Sequence, residues 1–210
     1  MLTSSHAYWT WRAGGGPGAV VGAVAPDLPA WGLGAVQRAR GVAPAAMLRA
    51  VYQTPPWRSV HMAGHTVWGP AAAAALGARG VAAGWAGHLA VDYLSHRDDA
   101  WPPLWPLSRR RRPARMSYWQ AEHGARRWAA AEVAAMAVAV ATDRRGRAAR
   151  ALGVAALVAA AAPLLVRGRG DLWAALGARP DALERAAVLE APAGEAPVTR
   201  PGAPRPRPGG

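Results

Sequence analysis

Residues 67–96 read VWGPAAAAALGARGVAAGWAGHLAVDYLSH, and this stretch decides the fold. Alanine, the best helix former, recurs along it, and Arg79 is its one charge before Asp92. The apolar run is longer than an ordinary strand, so it predicts one or two packed helices, broken around residues 77–80. On its N-terminal side lies a Gly-rich apolar stretch, 14–25, followed by Pro26-Asp27-Leu28-Pro29. Two prolines so close place Asp27 at a helix end or turn. On its C-terminal side, residues 97–125 are dense in Pro, Trp and Arg and predict an irregular but ordered segment. Two further apolar helices are expected over 127–142 and 149–166, joined by the basic turn Asp143-Arg144-Arg145-Gly146-Arg147. The expectation is an all-α helical bundle over residues 1–176, with a polar tail over 177–210. From about residue 191 the tail has too little to bury and is expected to be disordered.

The last helical pair raises a membrane question. Residues 151–166 form an uncharged run of 16, while a spanning helix needs roughly 20 apolar residues. Glu132 interrupts the preceding helix, and alanine is only weakly hydrophobic. A membrane hairpin and a buried soluble hairpin both remain open at this point. Arginine clusters flank both helices, so the positive-inside rule assigns no orientation. The N-terminus lacks the continuous apolar run of a secretory signal, which places Met1 close to the mature start.

Composition narrows the chemistry. The chain has no Phe, Ile, Lys, Asn or Cys, carries 11 Trp, and has a formal net charge of +13. The bias follows a GC-rich codon usage, so part of the charge reflects coding rather than a polyanionic partner. No nucleic-acid module accompanies the charge, and a nucleic-acid partner is not expected. Without cysteine there is no disulfide and no thiolate site, so any metal must be held by His and carboxylates.

Those residues are clustered. All six histidines lie between positions 6 and 123, together with only five of the twelve carboxylates: Asp27, Asp92, Asp98, Asp99 and Glu122. In Gly87-His88-Leu89-Ala90-Val91-Asp92-Tyr93-Leu94-Ser95-His96, spacings of four put His88, Asp92 and His96 on successive turns of one helical face. His61 and His65 repeat the spacing, and His6 and Asp27 complete the candidate set. Imidazoles and a carboxylate aimed at one point suit zinc or a similar divalent ion. A hydrogen-bonded polar network is the competing reading, because a buried His/Asp pair without a partner is costly.

The order of His6, Gly22-x-x-x-Pro26-Asp27, His65-Thr66, Gly87-His88-Leu89-x-x-Asp92 and Leu104-Trp105-Pro106-Leu107-Ser108 resembles the membrane-bound metal-dependent hydrolases of the LexA-regulated type. The resemblance spans about residues 6–123 and is most specific over 87–120. That family in turn looks like a distant relative of zinc-dependent phospholipase C and the related single-strand nucleases, which are helical and trinuclear in zinc. The resemblance implies that Asp27, His65, His88 and Asp92 are metal ligands, with His6 in reach and His96 and Asp99 as additions. Two departures stand out: Thr66 replaces the family's Ser, and the His-x-x-x-Glu ligand pair of the phospholipases is missing.

The expected activity is metal-dependent hydrolysis of a phosphoester, with a membrane phospholipid among the candidate substrates. Asp27 or Asp92 would orient the attacking water or accept its proton. Arg97 and Arg109, at the head of the run 109–112, would meet the phosphate. The rival is a non-catalytic membrane or scaffold protein with a structural His/Asp metal site.

Overall fold

The break anticipated in residues 67–96 occurs as a helix stop built on Gly77. In the computed structural model, which describes residues 3–41, 55–97, 100–118 and 123–165, helix α5 covers Trp68–Ala75 and α6 covers Arg79–Ser95. Between them Gly77 takes φ 78°. Its N–H donates to the Ala74 carbonyl at 3.0 Å, and the Ala78 N–H donates to the Ala73 carbonyl at 2.9 Å. That pair of bonds satisfies the last carbonyls of α5, and glycine reaches the left-handed backbone at no steric cost.

The remaining helices are α1 (Thr3–Arg12), α2 (Pro17–Val24), α3 (Leu28–Ala39), α4 (Pro55–Gly64), α7 (Ala125–Ala141) and α8 (Arg147–Leu165). A single 3-10 turn, Ala25–Asp27, joins α2 to α3, so Asp27 does sit where the flanking prolines place it. Among the described residues there is no strand, and the fold is all-α as expected. The segment 100–118 contains no helix, yet it is tied down. The Val67 N–H donates to the Pro103 carbonyl at 3.0 Å, and the Trp68 indole donates to the Trp105 carbonyl at 2.9 Å. The expected tail, with Asp98, Asp99 and Glu122, lies outside the described residues.

Two packings hold the bundle together. In the first, α2 crosses α6 through Gly18 and Gly22 on one helix and Gly80 and Gly84 on the other. A Cβ on Gly22 would overlap the Val81 carbonyl, and one on Gly84 would overlap the Ala19 carbonyl. Only glycine permits that approach, and Ala19 and Ala23 are buried in the seam. In the second, Tyr8 of α1 packs with Met136, Ala139 and Val140 of α7 and Ala160 of α8. The basic turn after α7 is anchored by Asp143, whose carboxylate accepts from Arg145 at 2.9 Å, while the Arg145 guanidinium lies 3.8 Å over the Trp11 ring. Helix α1 touches α2, α6 and α8, and so carries His6 into the space between the two packings.

Among the described residues, 17–39 form the one helical stretch long and apolar enough to cross a membrane, and most of it is not buried. The sequence points instead to residues 127–166, because the two prolines around Asp27 divide 17–39 into pieces. The structure runs helix through both.

Candidate metal centre

Six side chains converge from separate parts of the chain: His6 on α1, Asp27 at the end of the 3-10 turn, His65 just after α4, His88 and Asp92 on α6, and His96 capping α6. Close backbone approaches bring them together. The Gly22/Gly84 crossing lowers α6 onto α2 until His88 Nδ1 lies 2.7 Å from the Ala23 carbonyl. Gly64 fits where a Cβ would press on the Pro26 carbonyl, at 2.9 Å, which sets the end of α4 beside Asp27. The Trp85 indole donates to the Gly64 carbonyl at 2.8 Å and fixes that junction to α6. At the far end of α6, the Ala114 N–H donates to the His96 carbonyl at 2.9 Å and the Tyr118 N–H to the Ser95 carbonyl at 2.7 Å.

The tautomers follow from these contacts. A carbonyl only accepts, so the ring nitrogen facing it carries the hydrogen. His88 therefore has its hydrogen on Nδ1, and so does His65, whose Nδ1 lies 2.9 Å from the His61 carbonyl. In the neutral ring the opposite nitrogen, Nε2, then bears a lone pair. Both lone pairs face carboxylates: His88 Nε2 is 3.0 Å from Asp92 Oδ2, and His65 Nε2 is 3.4 Å from Asp27 Oδ1 and 3.6 Å from Asp92 Oδ2. A lone pair opposite an anion repels it unless a cation lies between them, either a proton or a metal ion. Backbone-anchored imidazoles of this kind are the arrangement that orients metal-ligating histidines.

Asp92 is the hub. Its Oδ1 faces His6 Nε2 at 3.2 Å and His96 Nε2 at 3.4 Å, while its Oδ2 faces His88 and His65. His6, His88 and Asp92 each offer a donor atom within 4.8 Å of the others, and so do Asp27, His65 and His88. His88 has a single lone pair to give and belongs to one ion at a time. Asp27 is steadied by the Thr3 hydroxyl, which donates to its Oδ2. The His6 and His88 rings stack at 3.8 Å.

Burial sharpens the electrostatics. Desolvation lowers the pKa of His6 to about 4, against the opposing pull of Asp92. His61, buried beside His65, is lowered to about 3, first by desolvation and then by the neighbouring imidazole. For His88, burial works against the charged form, but the hydrogen bond and charge of Asp92 prevail and raise its pKa. Burial likewise opposes ionisation of Asp92, yet the surrounding imidazoles hold it well below the carboxylate range. Without a metal, the proton that reconciles His88 with Asp92 resides on that pair.

Of the residues singled out from sequence, His6, Asp27, His65, His88, Asp92 and His96 are brought together. Asp99 lies outside the described residues. Arg97 donates to the Arg115 carbonyl at 3.3 Å, and Arg109 is exposed. A cavity of about 630 Å³ opens against His65, Asp92 and His96, walled by apolar groups including Tyr93 and Trp101, and the arginine on its wall is Arg112. Nothing in four consecutive arginines says which one borders the cavity, and Arg112, although exposed, is the one that does. Thr3 and Trp101 were also missed as neighbours of the centre, Trp101 lying edge-on to His61 at 5.1 Å. Compared with protein-family models, curated proteins and solved structures, the chain matches none of them.

Proposed function

We propose that the protein is a divalent-metal-dependent hydrolase acting on phosphoesters, with zinc or a zinc-like ion held by the His/Asp centre. The observation that supports this most directly is the pair of backbone-anchored imidazoles, His65 and His88, whose Nε2 atoms face Asp27 and Asp92. The donor set fits such an ion: imidazole nitrogen and carboxylate oxygen only, with three donors in each group. His6, His88 and Asp92 would form one group and Asp27, His65 and His88 the other, with His96 beside Asp92 Oδ1. Ions held there supply Lewis acidity that activates water and neutralises charge developing at phosphorus.

The chain's own residues have separable roles in this reading. Asp92, held ionised and facing four imidazoles, bridges the two donor groups. Asp27 is the more exposed of the two carboxylates, 18% against 12%, and orients the attacking water. Arg112 on the cavity wall meets the substrate phosphate. The apolar wall of that cavity suits a substrate with a greasy organic half, and the outward apolar side chains Val21, Leu28, Trp31 and Val36 suit a membrane surface. The likeness to the LexA-regulated membrane hydrolases points the same way. A structural metal site is the second reading, favoured by the burial of His88, which is 1% exposed.

Metal analysis of the purified protein, followed by turnover of phosphodiester and phosphomonoester substrates, tests the proposal. Bound metal that disappears in His88→Ala, with turnover that disappears alongside it, is the expected outcome. Wild-type protein without bound metal overturns it, and bound metal without turnover favours the structural reading.

A further inference from the structure

A second cavity, of about 500 Å³, shares the His6 wall of the centre and extends between α1, α6 and α7. Its wall is mostly apolar, with Trp9 from α1 and Trp128 from α7 facing it, and one acid among them, Glu132. Glu132 is 8% exposed, and neither of its carboxylate oxygens makes a hydrogen bond of proper geometry among the described residues. The Tyr118 hydroxyl lies within hydrogen-bonding reach of the carboxylate, but a phenol offers a dipole and not a charge. Among the described residues, no arginine lines this cavity. His6 does not serve Glu132 either, because its Nε2 is turned toward Asp92 at 3.2 Å. A carboxylate buried there in its charged form without a counter-charge is costly, and either a proton or a cation entering the cavity relieves it.

A metal ion does not fit the description, since Glu132 belongs to neither group of three donors that could hold one. The walls instead match a cation that carries its own apolar surface. Indole faces attract such cations through the ring quadrupole, and tryptophan does so best. We propose that this cavity binds an organic ammonium ion, with Glu132 as counter-ion and Trp9 and Trp128 as the aromatic enclosure. Alkylated ammonium groups are preferred over small, strongly hydrated cations, which surrender more solvation on entering an apolar space. This inference does not rest on the metal reading, which shares only the His6 wall with it.

Calorimetric titration of tetramethylammonium chloride into the full-length protein, at constant ionic strength and after chelation of metal, tests it. Saturable binding is expected, at least tenfold tighter than that of neopentyl alcohol, a neutral molecule of similar shape. Glu132→Gln, which keeps the shape and removes the charge, is expected to weaken tetramethylammonium binding at least tenfold and leave neopentyl alcohol unaffected. Trp128→Leu weakens the cation selectively as well. Absence of saturable binding to the wild type, or equal affinity for the cation and the alcohol, overturns the proposal. Should Glu132→Gln fail to fold, the wild-type comparison of cation with alcohol decides alone.

Discussion

At the residue scale, a single carboxylate organises the centre. Asp92 faces His6 and His96 through one oxygen and His65 and His88 through the other. Asp92→Ala is therefore expected to lose all bound metal, whereas His6→Ala, which touches only one donor group, is expected to lose about half. Metal-to-protein ratios measured side by side decide it, and equal losses in the two variants contradict a two-ion centre. The histidines also set a pH dependence. His6 and His61 have folded pKa values of about 4 and about 3, below the 6.5 of an unperturbed imidazole. Between those values the unfolded chain binds protons that the folded chain does not, so stability from these groups is present above pH 6.5 and is lost as pH falls toward 4 and below. His88 has the opposite sign, its raised pKa giving stability that fades as pH rises through it. Chemical denaturation of the metal-free protein is expected to show the His61 contribution as a slope of about 1.4 kcal/mol per pH unit, absent in His61→Gln. An unchanged slope in that variant would remove His61 from the account.

At the element scale, the α2/α6 crossing controls the site. His88 reaches the Ala23 carbonyl only because Gly22 and Gly84 let the two backbones nearly touch. Gly84→Ala drives a Cβ into the Ala19 carbonyl, where neither backbone can yield without separating the helices. A loss of about 3 kcal/mol or more in stability is expected, together with weaker metal binding. Gly87, one turn along α6, is the control: it is exposed, and a Cβ there meets nothing within 4 Å. Gly87→Ala is expected to stabilise the protein by about 0.5–1 kcal/mol through helix propensity alone. Thermal melts of the two variants, read with metal content, separate packing from propensity.

At the scale of the whole molecule, the stretch 17–39 turns Val21, Leu28, Trp31 and Val36 outward in a chain of net charge +13. Apolar surface and positive charge together favour an anionic lipid surface. Co-sedimentation with anionic vesicles is expected to exceed that with neutral ones and to fall in Trp31→Asp; indifference to vesicle charge and to that substitution would argue for another role. This outward face was hidden from sequence reading by Pro26 and Pro29, which look like a helix end although helix continues on either side. What the sequence by itself determined was the helical architecture, a break within residues 77–80 and a set of seven candidate ligands, of which all but Asp99 lie among the described residues. Alanine-rich apolar runs, glycine stops and four-residue spacings are local, and local patterns survive without knowledge of the fold. Tertiary structure alone decided which oxygen of Asp92 faces which imidazole, that Arg112 rather than Arg109 borders the cavity, and that Glu132 lies buried beside two indoles. Those facts depend on how closely α2 and α6 approach and on where α1 and α7 come to rest, and such distances arise between segments far apart in the chain.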